Sequence, residues 1–157
     1  MAAGASGWVA QAQGITCAAA GTARTILSVT PAASKSIKLT EVGVGFIGNS
    51  GTAKPVKVEL VQSDGTGAGS GSSGVTINKA DRTQADTVQS SAASGYATTE
   101  PTTLSVIRTW RVHPQATFVL QFPLNREPRS DKLLGLRVTF ETGETITTAD
   151  AYLEFEE

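Results

Sequence analysis

One cysteine, Cys17, and one histidine, His113, are all the thiol and imidazole that 157 residues contain. A lone thiol excludes an internal disulfide framework and a cysteine-rich zinc site. A lone imidazole excludes the multi-histidine catalytic metals. Charge is scarce too. Charged residues make up 17% of the chain and the net charge is −1. The whole molecule therefore offers no electrostatic case for nucleic acid. No apolar run approaches the ~18 residues that a membrane helix requires, so no membrane partner is expected. No Lys or Arg precedes Arg24, which argues against a secretory leader. Sustained 3.6-residue apolar spacing is missing as well, and with it the case for helices.

What is plentiful is Thr, Ser and Gly, together 51 of 157 residues. Thr suits strands, and all three are neutral to poor helix formers. From Arg24 onward the chain reads as short strands broken by turn signals. Arg24–Thr30 is β-branched and stops at Pro31. Ser36–Ile47 alternates through Ile37 and Leu39, then slips by one to Val42, Val44 and Phe46, which predicts a β-bulge at Thr40–Glu41. Pro55–Gln62 alternates with Val56, Val58 and Leu60 inward and Lys57 and Glu59 outward. Gly74–Asn78, Thr103–Val112, Thr117–Phe122, Lys132–Phe140 and Ala151–Phe155 complete the set. Arg108 falls in the apolar phase of its strand, so it is expected near a strand end or against a carboxylate. Phe118 and Leu136 are expected in the core. About eight strands with this spacing predict an all-β, two-sheet antiparallel sandwich, with a jelly roll as the specific expectation.

Two stretches read as loose. Residues 1–23 are mostly Ala, Gly, Ser and Gln, and cannot bury enough surface to offset their ordering entropy. They are expected to form a flexible arm, 1–23, ahead of a sandwich domain, 24–157. Trp8 then marks the contact through which the arm orders, against the domain or a partner. Gln62–Gly74 is a Gly/Ser tract and reads as a flexible loop inside the domain. Lys79–Gly95 reads as a long polar excursion with room for one helical turn.

No catalytic constellation emerges. His113 precedes Pro114 at a strand end and reads as a turn residue, and Cys17 as an inert small one. Glu141, Glu144, Asp150, Glu154, Glu156 and Glu157 crowd the C-terminus and read as a solvated acidic edge rather than a glycosidase pair. Neither a calcium loop nor a phosphate loop is present. No enzyme activity, metal or cofactor is expected. The charge map is more informative. Arg108, Arg111, Arg126, Arg129, Lys132 and Arg137 face only Glu127 and Asp131 over Leu104–Val138, whereas the last 17 residues carry −6. Such segregation suits contact with a copy of the chain or with a partner of opposite patches, unless the charges neutralise within one subunit.

The most distinctive stretch is Val112–Pro128, VHPQATFVLQFPLNREP. With Val112-His113-Pro114, the strand end and loop Gln121–Glu127, and the closing acidic strand Tyr152–Glu157, the chain resembles small all-β capsid decoration (cement) proteins of tailed bacteriophages. The resemblance also takes in Thr25–Thr30, Ile37–Phe46 and Pro55–Val61. It spans roughly Arg24–Glu157, leaving out the Gly/Ser tract. It implies a non-enzymatic virion protein on the outer capsid surface, partnered by the major capsid protein and by itself as a homotrimer. The loop holding Arg126 and Arg129 is the expected docking surface. The alternative is a carbohydrate- or receptor-binding sandwich module of a tail or head fibre, for which Trp110 and Tyr96 are the aromatic candidates.

Overall fold

The computed structural model describes residues 7–48, 54–65, 67, 69–83, 85–102, 104–144 and 148–157. Among them are twelve strands and no helix: β1 (Gly7–Thr16), β2 (Ala23–Thr30), β3 (Ile37–Ile47), β4 (Val56–Ser63), β5 (Ser73–Val75), β6 (Ile77–Lys79), β7 (Ser91–Ser94), β8 (Leu104–Val112), β9 (Phe118–Gln121), β10 (Arg129–Ser130), β11 (Leu134–Thr139) and β12 (Thr148–Glu156). They form two antiparallel sheets. One runs β10-β3-β12-β1-β6, with β9 also on β3; the other runs β5-β7-β2-β11-β4-β8. The fold is an all-β sandwich.

Alternation builds the core. On β12, Ala149, Ala151, Leu153 and Phe155 are buried, while the residues between them are half-buried. Leu134, Leu136 and Val138 of β11 do the same in the facing sheet, and both sets belong to one apolar cluster. The phase slip in β3 is a bulge. Glu154 pairs with Glu41 and Phe155 with Leu39, so Thr40 is the extra residue. The bulge keeps Ile37 and Leu39 on the same buried face as Val42 and Val44.

Several expectations need correction. Within the expected arm, 1–23, Gly7–Thr16 is a strand of the sandwich held between β12 and β6. The domain therefore begins before Arg24. Trp8 is buried in the core, under the Lys79 ammonium, and is not an exposed contact. The entropy argument fails because the segment does not stand alone: its small Ala side chains fit an inner face that β12 already supplies. The Gly/Ser tract is not a free loop either. Ser70 bridges Thr99, and the tract lies with Gly95–Thr102 along sheet two. There Tyr96 is buried with its hydroxyl on the Ser28 hydroxyl (2.7 Å). Glu59, assigned outward, does lie on the outer side, yet it is buried between Arg137 (3.0 Å) and Lys57 (3.3 Å). Phe118 is only half-buried, because β9 is a short edge strand. The acidic C-terminal strand, finally, is no edge: β12 has β3 on one side and β1 on the other.

Candidate partner-docking edge

One side of the sandwich is built from β8, the last strand of sheet two, and from β9 and β10, which follow one another along the outer edge of β3. Between β9 and β10 the chain leaves the sheet and returns. Its departure is fixed where Phe122 N–H donates to the Thr40 carbonyl (2.8 Å), and its return where Leu39 N–H donates to the Pro128 carbonyl (2.9 Å). Both anchors sit at the β3 bulge. The Thr40 hydroxyl ties that bulge to β12 by donating to the Glu154 carbonyl (3.0 Å). At the tip, Arg126 N–H donates to the Pro123 carbonyl (2.9 Å), and Asn125 takes a left-handed φ of 65°, which Asn tolerates. The turn leaves Leu124 80% exposed.

The same loop lies against β8 at both ends. The Arg108 guanidinium sits over the Phe122 ring, 5.9 Å from its centroid, and Trp110 meets Phe118 at 5.1 Å. Further along, Gln62, paired with Ser105 of β8, donates to the Ser130 hydroxyl (2.9 Å). Arg108 thus follows neither expected course: its aliphatic phase points inward, but at an open edge where an aromatic face receives the charge.

The large apolar side chains that are exposed among the described residues are Ile47, Val106, Ile107, Val119 and Leu124. All lie on β8, on β9 and its loop, or at the end of β3 beside them. Single exposed apolar groups are ordinary, but these stand around one edge of the sandwich rather than over its faces at large. The basic groups divide. Arg111 pairs with Glu141, Arg137 with Glu59 and Lys132 with Asp131, so part of the charge is neutralised within the subunit. Among the described residues, no carboxylate lies within ion-pair distance of Arg108, Arg126 or Arg129. Glu127, the neighbour that could have taken Arg126, turns inward toward Lys38 (3.8 Å).

The structure therefore places Arg126 and Arg129 on the β9–β10 segment that lies beside β8 and Arg108, with Arg129 turned to the outer face of sheet one opposite Lys38, and sets Trp8 apart in the core. The residues that reading the sequence passed over are Val106, Ile107, Val119 and Leu124. Their one signal was Arg108 in an apolar phase, the mark of a strand with nothing packed beyond it.

Other places offer less. Cys17 is buried, which pushes its thiol up to about 12 and keeps it protonated. His113 is a turn residue whose Nδ1 accepts the Gln115 N–H (3.3 Å). On the outer face of sheet one, the Tyr152 hydroxyl donates to Glu41, and Glu154 lies opposite Glu41. A cleft of about 560 Å3 opens at one end, between Thr30–Ser36 and Asp131–Leu133; its described lining includes no histidine, cysteine or aromatic ring. Every Trp, Tyr and Phe of the chain is buried or half-buried. Comparison with protein-family models, with curated proteins and with solved structures returns no match.

Proposed function

We propose that the protein is a non-enzymatic capsid decoration protein, which binds the outer surface of an assembled phage shell and cements it as a homotrimer. The observation that carries this reading is the β8/β9 side, where exposed apolar groups and arginines with no carboxylate partner among the described residues stand along one edge of the sandwich. The resemblance of Val112–Pro128 to cement proteins supplies the class of partner, the major capsid protein. The connectivity is compatible with it. The strand orders β1-β12-β3-β9 and β2-β11-β4-β8 are those of two interlocked Greek keys, which we read as a jelly roll, an architecture found in capsid and lectin domains alike. Cementing is linkage: a protein that binds only the expanded shell stabilises it by its differential affinity.

The carbohydrate-binding alternative draws no support from Tyr96, which is buried, or from Trp110, which leans on Phe118. The test is co-sedimentation of the purified protein with empty expanded shells, together with its copy number in purified virions. Binding near one copy per capsid subunit, and a solution mass three times the 16.2 kDa chain, are expected. A monomer that stays in the supernatant and is absent from virions overturns the reading.

A further inference from the structure

The four ends of the two sheets are unequal. β5 and β6 are three residues long, and β9 and β10 four and two, whereas β8 has nine residues and pairs only with β4. Short edge strands are the usual guard against unwanted pairing, so a long one left open stands out. Six of its nine residues are exposed, Ser105–Thr109 and Arg111, and among the described residues no strand pairs with its outer edge.

Two features show what β8 is guarded against. Opposite Leu60 and Val61 the register skips Ile107, a bulge that twists the strand. Arg108 is the middle residue of β8, so antiparallel pairing of two copies about the strand centre sets guanidinium against guanidinium. Like charges directly opposite destabilise a pair of strands. Pairing with its own copy in that centred register is thus disfavoured, and a strand bearing carboxylates meets Arg108 with opposite charge. The charges beside it name the complement: Arg108 stands on the strand over Phe122, and Arg126 stands on the loop that Phe122 begins, with no carboxylate partner among the described residues.

We propose that the free edge of β8 accepts an extended segment of a partner protein that carries carboxylates, which adds as a further strand of sheet two. Main-chain hydrogen bonds hold the segment, Val106 and Ile107 give it apolar contacts, and Arg108 and Arg126 select for acid. The inference rests on the proposed function only in taking this side as the docking surface, and it does not require the partner to be a capsid.

The test therefore uses no shell. The 15N-labelled protein is titrated with an eight-residue synthetic peptide alternating Glu with Val or Thr, and with the same peptide carrying Lys for Glu. The glutamate peptide is expected to shift the amide signals of Leu104–Val112 and to slow their hydrogen exchange at least tenfold at saturation. Raising the salt weakens this binding, and the lysine peptide leaves β8 unchanged. Arg108→Glu, checked for an unaltered melting temperature, reverses the preference. Equal binding of both peptides, shifts confined to other strands, or no effect at millimolar glutamate peptide overturns the proposal. Shell binding by the same preparation separates this failure from failure of the functional reading.

Discussion

At Gly43 the missing side chain is what the neighbouring strand uses. A Cβ there lies 2.0 Å from Tyr152 Cε1, so the tyrosine ring lies across β3 at the one residue that leaves it room. The ring brings its hydroxyl to Glu41, and with Glu154 opposite the three groups crowd together. Desolvation, then the bond to the Glu41 carboxylate, pushes the Tyr152 phenol up to about 12. Desolvation, then the charge of Glu41, raises Glu154 above its ordinary value of 4.5. A carboxyl raised in the folded state stabilises most while both states hold its proton, and that contribution is lost as pH climbs through the folded value. Stability measured upward from pH 4.5 should therefore carry a declining component that Glu154→Gln removes. Tyr152 adds a second decline between pH 10 and 12, absent in Tyr152→Phe. Melting temperatures across pH for the wild type and the two variants check both.

Among the elements, β1 and the Gly/Ser tract behave as the chain's composition hides. β1 places Trp8, Ala10 and Ile15 in the core, but from Ala10 to Gln13 it shows only Ala and Gln, and alternation of small with polar residues looks like no pattern at all. β3 was legible because Ile, Leu and Val make a phase visible, including its slip at Thr40. Pairing partners carry the rest: β1 is a strand because β12 lies beside it, over a hundred residues away. Deleting residues 1–16 is expected to abolish the cooperative melt, since it strips one side of β12 and uncovers Phe155 and Leu153. A truncated protein that melts as the full chain does refutes this role.

The tract follows the same logic. Gly71 has φ 77°, and a Cβ there lies 2.7 Å from the Thr98 amide nitrogen, whereas at Gly74 nothing stands within 4 Å. Gly71→Ala should cost ~1–3 kcal/mol through overpacking, and Gly74→Ala should lie within ~1 kcal/mol of neutral. Urea denaturation of the two variants gives the comparison. Composition reads both glycines as flexibility, but one of them is contact. Leu136→Ala remains a core test at ~2–5 kcal/mol.

For the molecule as a whole, charge is sorted by side. β12 turns acid outward across the middle of sheet one, and most of it is engaged: Glu156 with Lys38, Asp150 with the Gly14 amide, Glu157 with the Gln89 and Ser90 amides. Arg126 and Arg129, with no carboxylate partner among the described residues, stand on the opposite flank of β3, and Arg108 stands beside them on β8. The charge segregation was legible in the sequence; which charges would cancel was not, because Arg137 and Glu59 meet only through the β4–β11 pairing. Arg126→Ala removes a charge with no carboxylate partner among the described residues. It should leave the melting temperature within about a degree, as exposed groups contribute little to folding, while reducing occupancy on shells and the salt dependence of binding. Unchanged occupancy takes this loop out of the interface.

The pinned loop has one more consequence, for engineering. Two main-chain bonds close its base at Thr40 and Leu39, and only Leu124 and Asn125 stand at its crest. Sequence spliced between them extends a path already closed below, and loop entropy grows slowly with length. If the shell-bound side lies elsewhere, that crest is a mounting point for displaying foreign peptides. If it lies here, the same splice is a blocking cap that would keep a folded subunit off the shell.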